Sequence, residues 1–223
     1  MRTLLFLLVF AFSHNITAQV TTSSTVRVTG NVYNKQTGQK LTEKETNNLI
    51  EQYPGIVFEH VYNKYGTLVK LLFDPNKIDT GRAMYRSEEN QIKPGEPFSE
   101  FVFKTVDGER ISSEKLHGSW ILLRFELFTK MMNEEEIALR EEQIDRFCLS
   151  DKMTAIICFA DTKTNVIQAF KSKKMNSKLI SDGRNFQERY NIIKFPTTIL
   201  IGKDGVVYKY YFASDKIDFN ELK

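Results

Sequence analysis

The sequence predicts an α/β domain behind a small α+β unit, on three observations. Beyond residue 93, strand and helix patterns alternate, and the nearly continuous apolar runs at 120–125 and 153–160 fit central strands covered on both faces. A last pair of apolar runs, 198–201 and 206–212, brackets Lys203-Asp204-Gly205 and reads as a closing hairpin. Within residues 26–74, a capped helix and another hairpin make a compact unit of their own.

The length of 223 residues fits one domain of ordinary size plus something smaller. Hydrophobic residues at 41% and charged residues at 26% are globular values. The net charge is +3, with basic residues scattered among acidic ones, so no patch is offered to a nucleic acid. Residues 1–19 have the form of a secretory signal peptide. Met1-Arg2 supplies a positive end, residues 3–13 are apolar, and Ile16-Thr17-Ala18-Gln19 offers small residues for cleavage after Ala18 or Gln19. No cysteine follows the apolar stretch, which argues against a lipid anchor, and no later run reaches the roughly eighteen apolar residues of a membrane span. The expectation is an exported soluble protein, periplasmic or secreted.

Residues 20–30 are polar and lead into a strand around 26–33, and Lys35-Gln36-Thr37-Gly38 reads as a turn. Thr42 and Glu45 have capping-box spacing, so a helix should run from Glu43 to about Gln52 and stop before Pro54-Gly55. Residues 56–62 and 67–73 flank Asn63-Lys64-Tyr65-Gly66, a hairpin with glycine where positive φ is needed. Pro75, Gly81 and aperiodic charges make 75–92 a linker, leaving 93–223 as the main domain. There, residues 134–148 place Ile137, Ile144, Phe147 and Cys148 on one side of a helix, and 165–173 and 186–190 are further helices.

The chain has two cysteines, Cys148 and Cys158, and an even count in an exported chain invites a disulfide. Cys148 falls near the end of a predicted helix, and Cys158 lies well along a strand that rises about 3.3 Å per residue. A disulfide tolerates a Cα separation of roughly 7 Å. Both are therefore expected as buried, unpaired thiols that pack as small apolar residues.

One series of motifs is more specific. Pro94-Gly95-Glu96-Pro97 runs to Phe101, Asp107-Gly108 makes a turn, and Gly118 precedes the 120–125 strand. Phe195-Pro196-Thr197-Thr198 then leads into a strand and the Lys-Asp-Gly turn. Over roughly 93–212 this order resembles the redoxin branch of the thioredoxin superfamily. That branch includes the periplasmic thiol–disulfide oxidoreductases and the alkyl hydroperoxide reductase/thiol-specific antioxidant group. The resemblance implies a thioredoxin-like fold, a central mixed sheet flanked by helices. It also implies a cis Pro196 that faces the redox centre and helps to hold an extended substrate segment. Asp182 and Tyr190 match recurrent positions of the same family.

In redox-active members, the turn between the first core strand and the first long helix carries Cys-x-x-Cys. Here that turn is Lys130-Met131-Met132-Asn133. Aligned on Phe125, Lys130 takes the first cysteine position and Asn133 the second, while the peroxidase register puts Met132 where the reacting cysteine belongs. Exchange needs a thiolate, and a thioether cannot ionise. Asn133 and Glu136 read as a second capping box, with Glu134, Glu135 and Glu136 surrounding the turn with negative charge. Phe125, Phe128, Met131 and Met132 read as an apolar cluster near Pro196, and Lys130 as solvated. His60 and His117 read as surface or packing residues. No metal-ligand cluster, nucleophile elbow, P-loop or GxGxxG is found, so neither metal nor cofactor is expected.

Two functional classes follow. In the first, the chain is a redox-inactive binding or scaffold module. A groove between Phe128, Thr129, Lys130 and Met131 on one side and Phe195, Pro196 and Thr197 on the other holds an extended peptide of a partner protein. In the second, it is a thiol–disulfide oxidoreductase or peroxide-reducing antioxidant enzyme that works through Cys148, Cys158 or a partner's thiols.

Overall fold

The computed structural model describes residues 31–77, 86–146, 152–213 and 215–222. The expected signal peptide, the start of the first expected strand and Cys148 lie outside the described residues. β1 (Val32–Asn34), α1 (Glu43–Gln52), β2 (Glu59–Tyr62) and β3 (Leu68–Phe73) build a sheet of order β1-β3-β2, with β1 parallel and β2 antiparallel to β3. The Thr42 hydroxyl accepts the Glu45 amide at 3.2 Å, and the Glu45 carboxylate accepts the Thr42 amide at 2.7 Å, so α1 starts on the expected capping box. In the β2–β3 turn, Asn63 Oδ1 accepts the Tyr65 and Thr67 amides at 2.9 and 3.1 Å, and Gly66 has φ +71°. Val32, Phe58, Leu71 and Phe73 form the small core under α1.

The main domain opens with the hairpin of β4 (Val102–Lys104) and β5 (Arg110–Ser112). It continues with β6 (Trp120–Glu126), α2 (Glu134–Arg146), β7 (Met153–Phe159), α3 (Lys163–Phe170), β8 (Lys178–Ile180), α4 (Arg184–Arg189), β9 (Thr197–Ile201) and β10 (Val207–Phe212). Five of these strands form one sheet in the order β10-β9-β6-β7-β8. β6, β7 and β8 run parallel, and β9 and β10 close the sheet antiparallel, giving the central mixed sheet expected from the sequence. β4, β5 and β8 have only three residues each, too few to show a period in the sequence.

The two faces of β6 differ. Ile121, Leu123 and Phe125 join Phe101, Phe103, Ile156, Cys158 and Ile199 in the larger core. On the other face Leu122 meets Ile144 of α2 and Leu200. The run 120–125 is the central strand expected, covered on both faces, and on the second face Arg124 and then Glu126 follow Leu122, both buried. Among the described residues, no helix is long and apolar enough to cross a membrane.

The N-terminal sheet sits against α4. Tyr62 donates to Glu188 Oε2 at 2.5 Å, and His60 Nδ1 lies 3.1 Å from the same oxygen. His60 is therefore a packing residue with a specific partner, set between the N-terminal sheet and α4. Asn185 Nδ2 donates to the Gly66 carbonyl at 2.9 Å, and the Phe186 ring covers Gly66. Residues 86–91 grip the far end of α4: Arg86 donates to the Ile192 carbonyl at 3.2 Å and Gln91 to that of Asn191 at 2.9 Å.

Two predictions follow. A Cβ on Gly66 would lie 2.8 Å from the Phe186 ring in a left-handed conformation, whereas Gly38, at φ +71° too, has nothing within 4 Å. Gly66→Ala should therefore cost about 2–4 kcal/mol, against about 1–2 kcal/mol for Gly38→Ala, read as shifts in urea midpoint. Burial pushes the Glu188 carboxyl up, but hydrogen bonds from His60 and Tyr62 and the charges of His60 and Arg86 outweigh it and hold it at about 2, below its ordinary 4.5. The stability Glu188 contributes should be complete above pH 4.5 and lost as the pH falls through about 2. The stability difference between the protein and Glu188→Gln should narrow over that window in denaturant titrations.

Candidate functional site

β6 ends at the turn where a redoxin would carry its thiols. Residues Thr129–Met131 form a single 3-10 turn. Its anchor is Asp161, just past β7, whose Oδ2 accepts the Thr129 amide at 3.1 Å and the Thr129 hydroxyl at 2.7 Å. Burial works against the Asp161 charge, but donors from Asn165, Thr129 and Thr162 prevail and hold its carboxyl below the usual range. Thr129 is thus buried and committed to structure. Lys130 and Asn133 are exposed and Met132 is half-buried.

The expected apolar cluster at this turn does not form. Phe125 belongs to the larger core, and Met132 packs toward α3 against the cluster of Ile137, Ile157 and Phe159. Phe128 and Met131 stand out into solvent, 44% and 70% exposed.

The start of α2 also departs from expectation. Asn133 Oδ1 accepts the Glu136 amide at 3.1 Å, which is half a capping box. The Glu136 side chain does not return to Asn133. It turns under the helix to Arg124, which is 2% exposed, with Nη1 to Oε1 at 2.6 Å and Nη2 to Oε2 at 3.3 Å. Arg140, one turn along α2, donates to Glu136 at 3.0 Å and to Thr198 Oγ1 of β9 at 2.9 Å. Arg124 Nε also donates to Glu126 at 2.6 Å. Two guanidinium groups and two carboxylates therefore join β6, α2 and β9 directly beneath the turn. Burial raises the Glu126 carboxyl despite Arg124 beside it. Burial, reinforced by the Arg124 charge, lowers Arg140 to about 10. Glu136 is neutralised by these arginines and Glu134 pairs with Lys173 at 2.7 Å, so of the three glutamates only Glu135 lacks a cationic partner among the described residues.

The Phe195–Pro196 peptide is cis. Thr197 pairs with Phe125, which puts Pro196 beside the end of β6 and next to the turn. Thr197 is buried and its hydroxyl donates to the Lys194 carbonyl at 2.8 Å. The Pro196 carbonyl accepts the Ala213 amide at 3.1 Å. Among the described residues, none hydrogen-bonds to the backbone of Phe195. Of the expected groove residues, Phe128, Lys130 and Met131 are exposed, Phe195 and Pro196 half-buried, and Thr129 and Thr197 buried. None of the seven lines the cavity described below.

Cys158, in the middle of the sheet, is free and fully buried, as expected. Burial pushes its thiol far above the ordinary value. Gly183 packs so closely that a Cβ there would lie 2.2 Å from the Cys158 sulfur. Asp182 adopts φ +54° and donates its amide to the Asp161 carbonyl at 2.8 Å, while Tyr190 is buried with its hydroxyl toward Ser99. Among the described residues, no group of three or more His, Cys, Asp or Glu side chains could hold a metal ion.

Sequence reasoning missed Arg124, Arg140 and Asp161. A single arginine inside an apolar strand, with Glu126 two residues on and the Glu136/Arg140 pair at helical spacing, was the signal for the first two. Glu136→Gln should leave both guanidinium groups undercompensated and cost about 2–4 kcal/mol, less than a fully buried pair because Glu136 is partly exposed. Glu109→Gln, which breaks only the exposed pair with Lys178 at 2.7 Å, should cost under about 1 kcal/mol in the same denaturant series.

Known proteins share this frame. The AhpC/TSA family matches residues 94–210. A thioredoxin-like protein of Bacillus subtilis, YneN, is 24% identical over 128 residues, which cover 55% of this chain and 74% of that protein. A candidate protein disulfide isomerase from Bacteroides thetaiotaomicron superposes with a TM-score of 0.50 at 18% identity, covering 59% of this chain and 86% of the other. A thiol peroxidase from Chromobacterium violaceum gives 0.46 at 19% identity, over 60% and 85%. With the matched segment spanning more than half of its length, the chain belongs to the AhpC/TSA family.

Proposed function

We propose that this protein is an exported, redox-inactive member of its family that holds an extended segment of a partner protein at the edge formed by Phe195 and Pro196. The observation that carries the reading is an open Phe195–Pro196 edge beside a turn that has no thiol. Among the described residues none takes the Phe195 amide or carbonyl, so an extended segment can pair with them as an added strand does. Phe128 and Met131 are exposed in the turn that follows β6, and such side chains adapt to varied apolar partners. Export rests on the form of residues 1–19.

The enzymatic alternative would need a thiolate. Cys158 is held neutral and out of reach, which leaves that reading to Cys148 or to a partner's thiols. Disulfide reduction and peroxide consumption, assayed with a reductant supplied, should stay at buffer level for the protein and for its Cys148→Ser/Cys158→Ser variant. Unstructured, cysteine-free peptides should shift the amide resonances of Met131 and Phe195. Turnover that disappears in the double variant would make the protein an enzyme and defeat the binding reading.

A further inference from the structure

On the opposite side of α2 from the cis-proline edge, a cavity of about 540 Å³ opens between α2 and the segment that joins α3 to β8. Sites for small organic ligands fall in the range of about 300–1,000 Å³. Met132, Ile137, Ala138, Phe170 and Met175 supply its apolar lining. Both ends are fixed. At one, the buried Glu141 carboxylate accepts the Asn176 and Ser177 amides at 2.5 and 3.1 Å, as well as the Ser177 hydroxyl. At the other, Lys173 pairs with Glu134 at 2.7 Å.

That second end already shows what the lining recognises. The Lys173 ammonium lies 5.3 Å from the centre of the Phe170 ring while it bonds Glu134, so an aromatic face and a carboxylate together hold a primary ammonium on an alkyl stem. Further along the rim, Lys174 lies 3.8 Å from Asp145. Glu135 and Glu142 also line the cavity, and among the described residues neither has a hydrogen-bond or ion-pair partner. An anionic guest would meet two uncompensated carboxylates, and a neutral one would leave them unused. We infer that this cavity binds a small amphiphile with an apolar body and a single primary ammonium head, the body lying on Met132, Phe170 and Met175 and the head shared by the α2 carboxylates. The site is independent of the peptide-binding reading.

The test uses three probes of equal chain length, n-octylammonium, n-octanol and n-octanoate, titrated into protein carrying 13C-methyl methionine. Met132 and Met175 report on the cavity, while exposed Met131 and Met153, in another cluster, serve as controls. Octylammonium should move the Met132 and Met175 signals saturably, more tightly than octanol, and octanoate should not bind. The rim variant Glu135→Gln/Glu142→Gln should bind octylammonium about three- to ten-fold more weakly, the loss expected of two exposed charge contacts. Lys173→Gln should bind it more tightly, because the tethered ammonium no longer competes for Glu134 and Phe170. Equal affinity for octanol, binding of octanoate, shifts at Met131 in place of Met132 and Met175, or unchanged affinity in both variants would each overturn the inference.

Discussion

The guanidinium of Arg124 decides how the helix after the turn lies on the sheet. A charge in the middle strand of an α/β sheet is stable only where opposite charges and acceptors meet it, because the desolvation of an unpaired ion costs several kcal/mol. Glu126 meets it along the strand and Glu136 from above, and Arg140 carries the network on to Thr198. These contacts bring β6, the first two turns of α2 and the start of β9 together at one point. The turn from Phe128 to Met132 and the Phe195–Pro196 peptide are both suspended from that point, and their mutual position follows from it.

The same network sets the surroundings of the turn, which carries no thiol. A redox centre would use the free amides of the helix start to stabilise a thiolate. Here one of those amides is given to Asn133, and the arginines that could have lowered a nearby thiol are saturated by carboxylates. Restoring a cysteine at position 130 would therefore not restore its surroundings. The charges beneath the turn are directed inward, where they hold β6, α2 and β9 together.

What could be read from the sequence is what depends on near neighbours. The Thr42/Glu45 cap, the Asn63–Gly66 turn and the Lys203-Asp204-Gly205 hairpin each close within a few residues, and each stands where its motif placed it. The roles of Glu136 and His60 could not be read that way. The cap at Asn133 offered Glu136 a local partner, but a buried guanidinium twelve residues upstream was the stronger demand. His60 finds its carboxylate 128 residues away, a distance that only the docking of two sheets closes. Asp161 lies outside any recognisable motif of the turn it anchors, because its bond to Thr129 crosses from the end of one parallel strand to the end of the next.

The contact between Gly183 and Cys158 bears on the chemical lifetime of the molecule. Adding one oxygen to a sulfur requires room for that oxygen and a path for the oxidant, and the backbone of Gly183 fills the space beside this one. A thiol so enclosed cannot be capped, crosslinked or scavenged without first breaking the sheet. Position 183 therefore guards the sulfur by having no side chain, and a smaller residue at 158 would not by itself make room for one, because the Phe159 carbonyl would still lie 3.0 Å from the added Cβ.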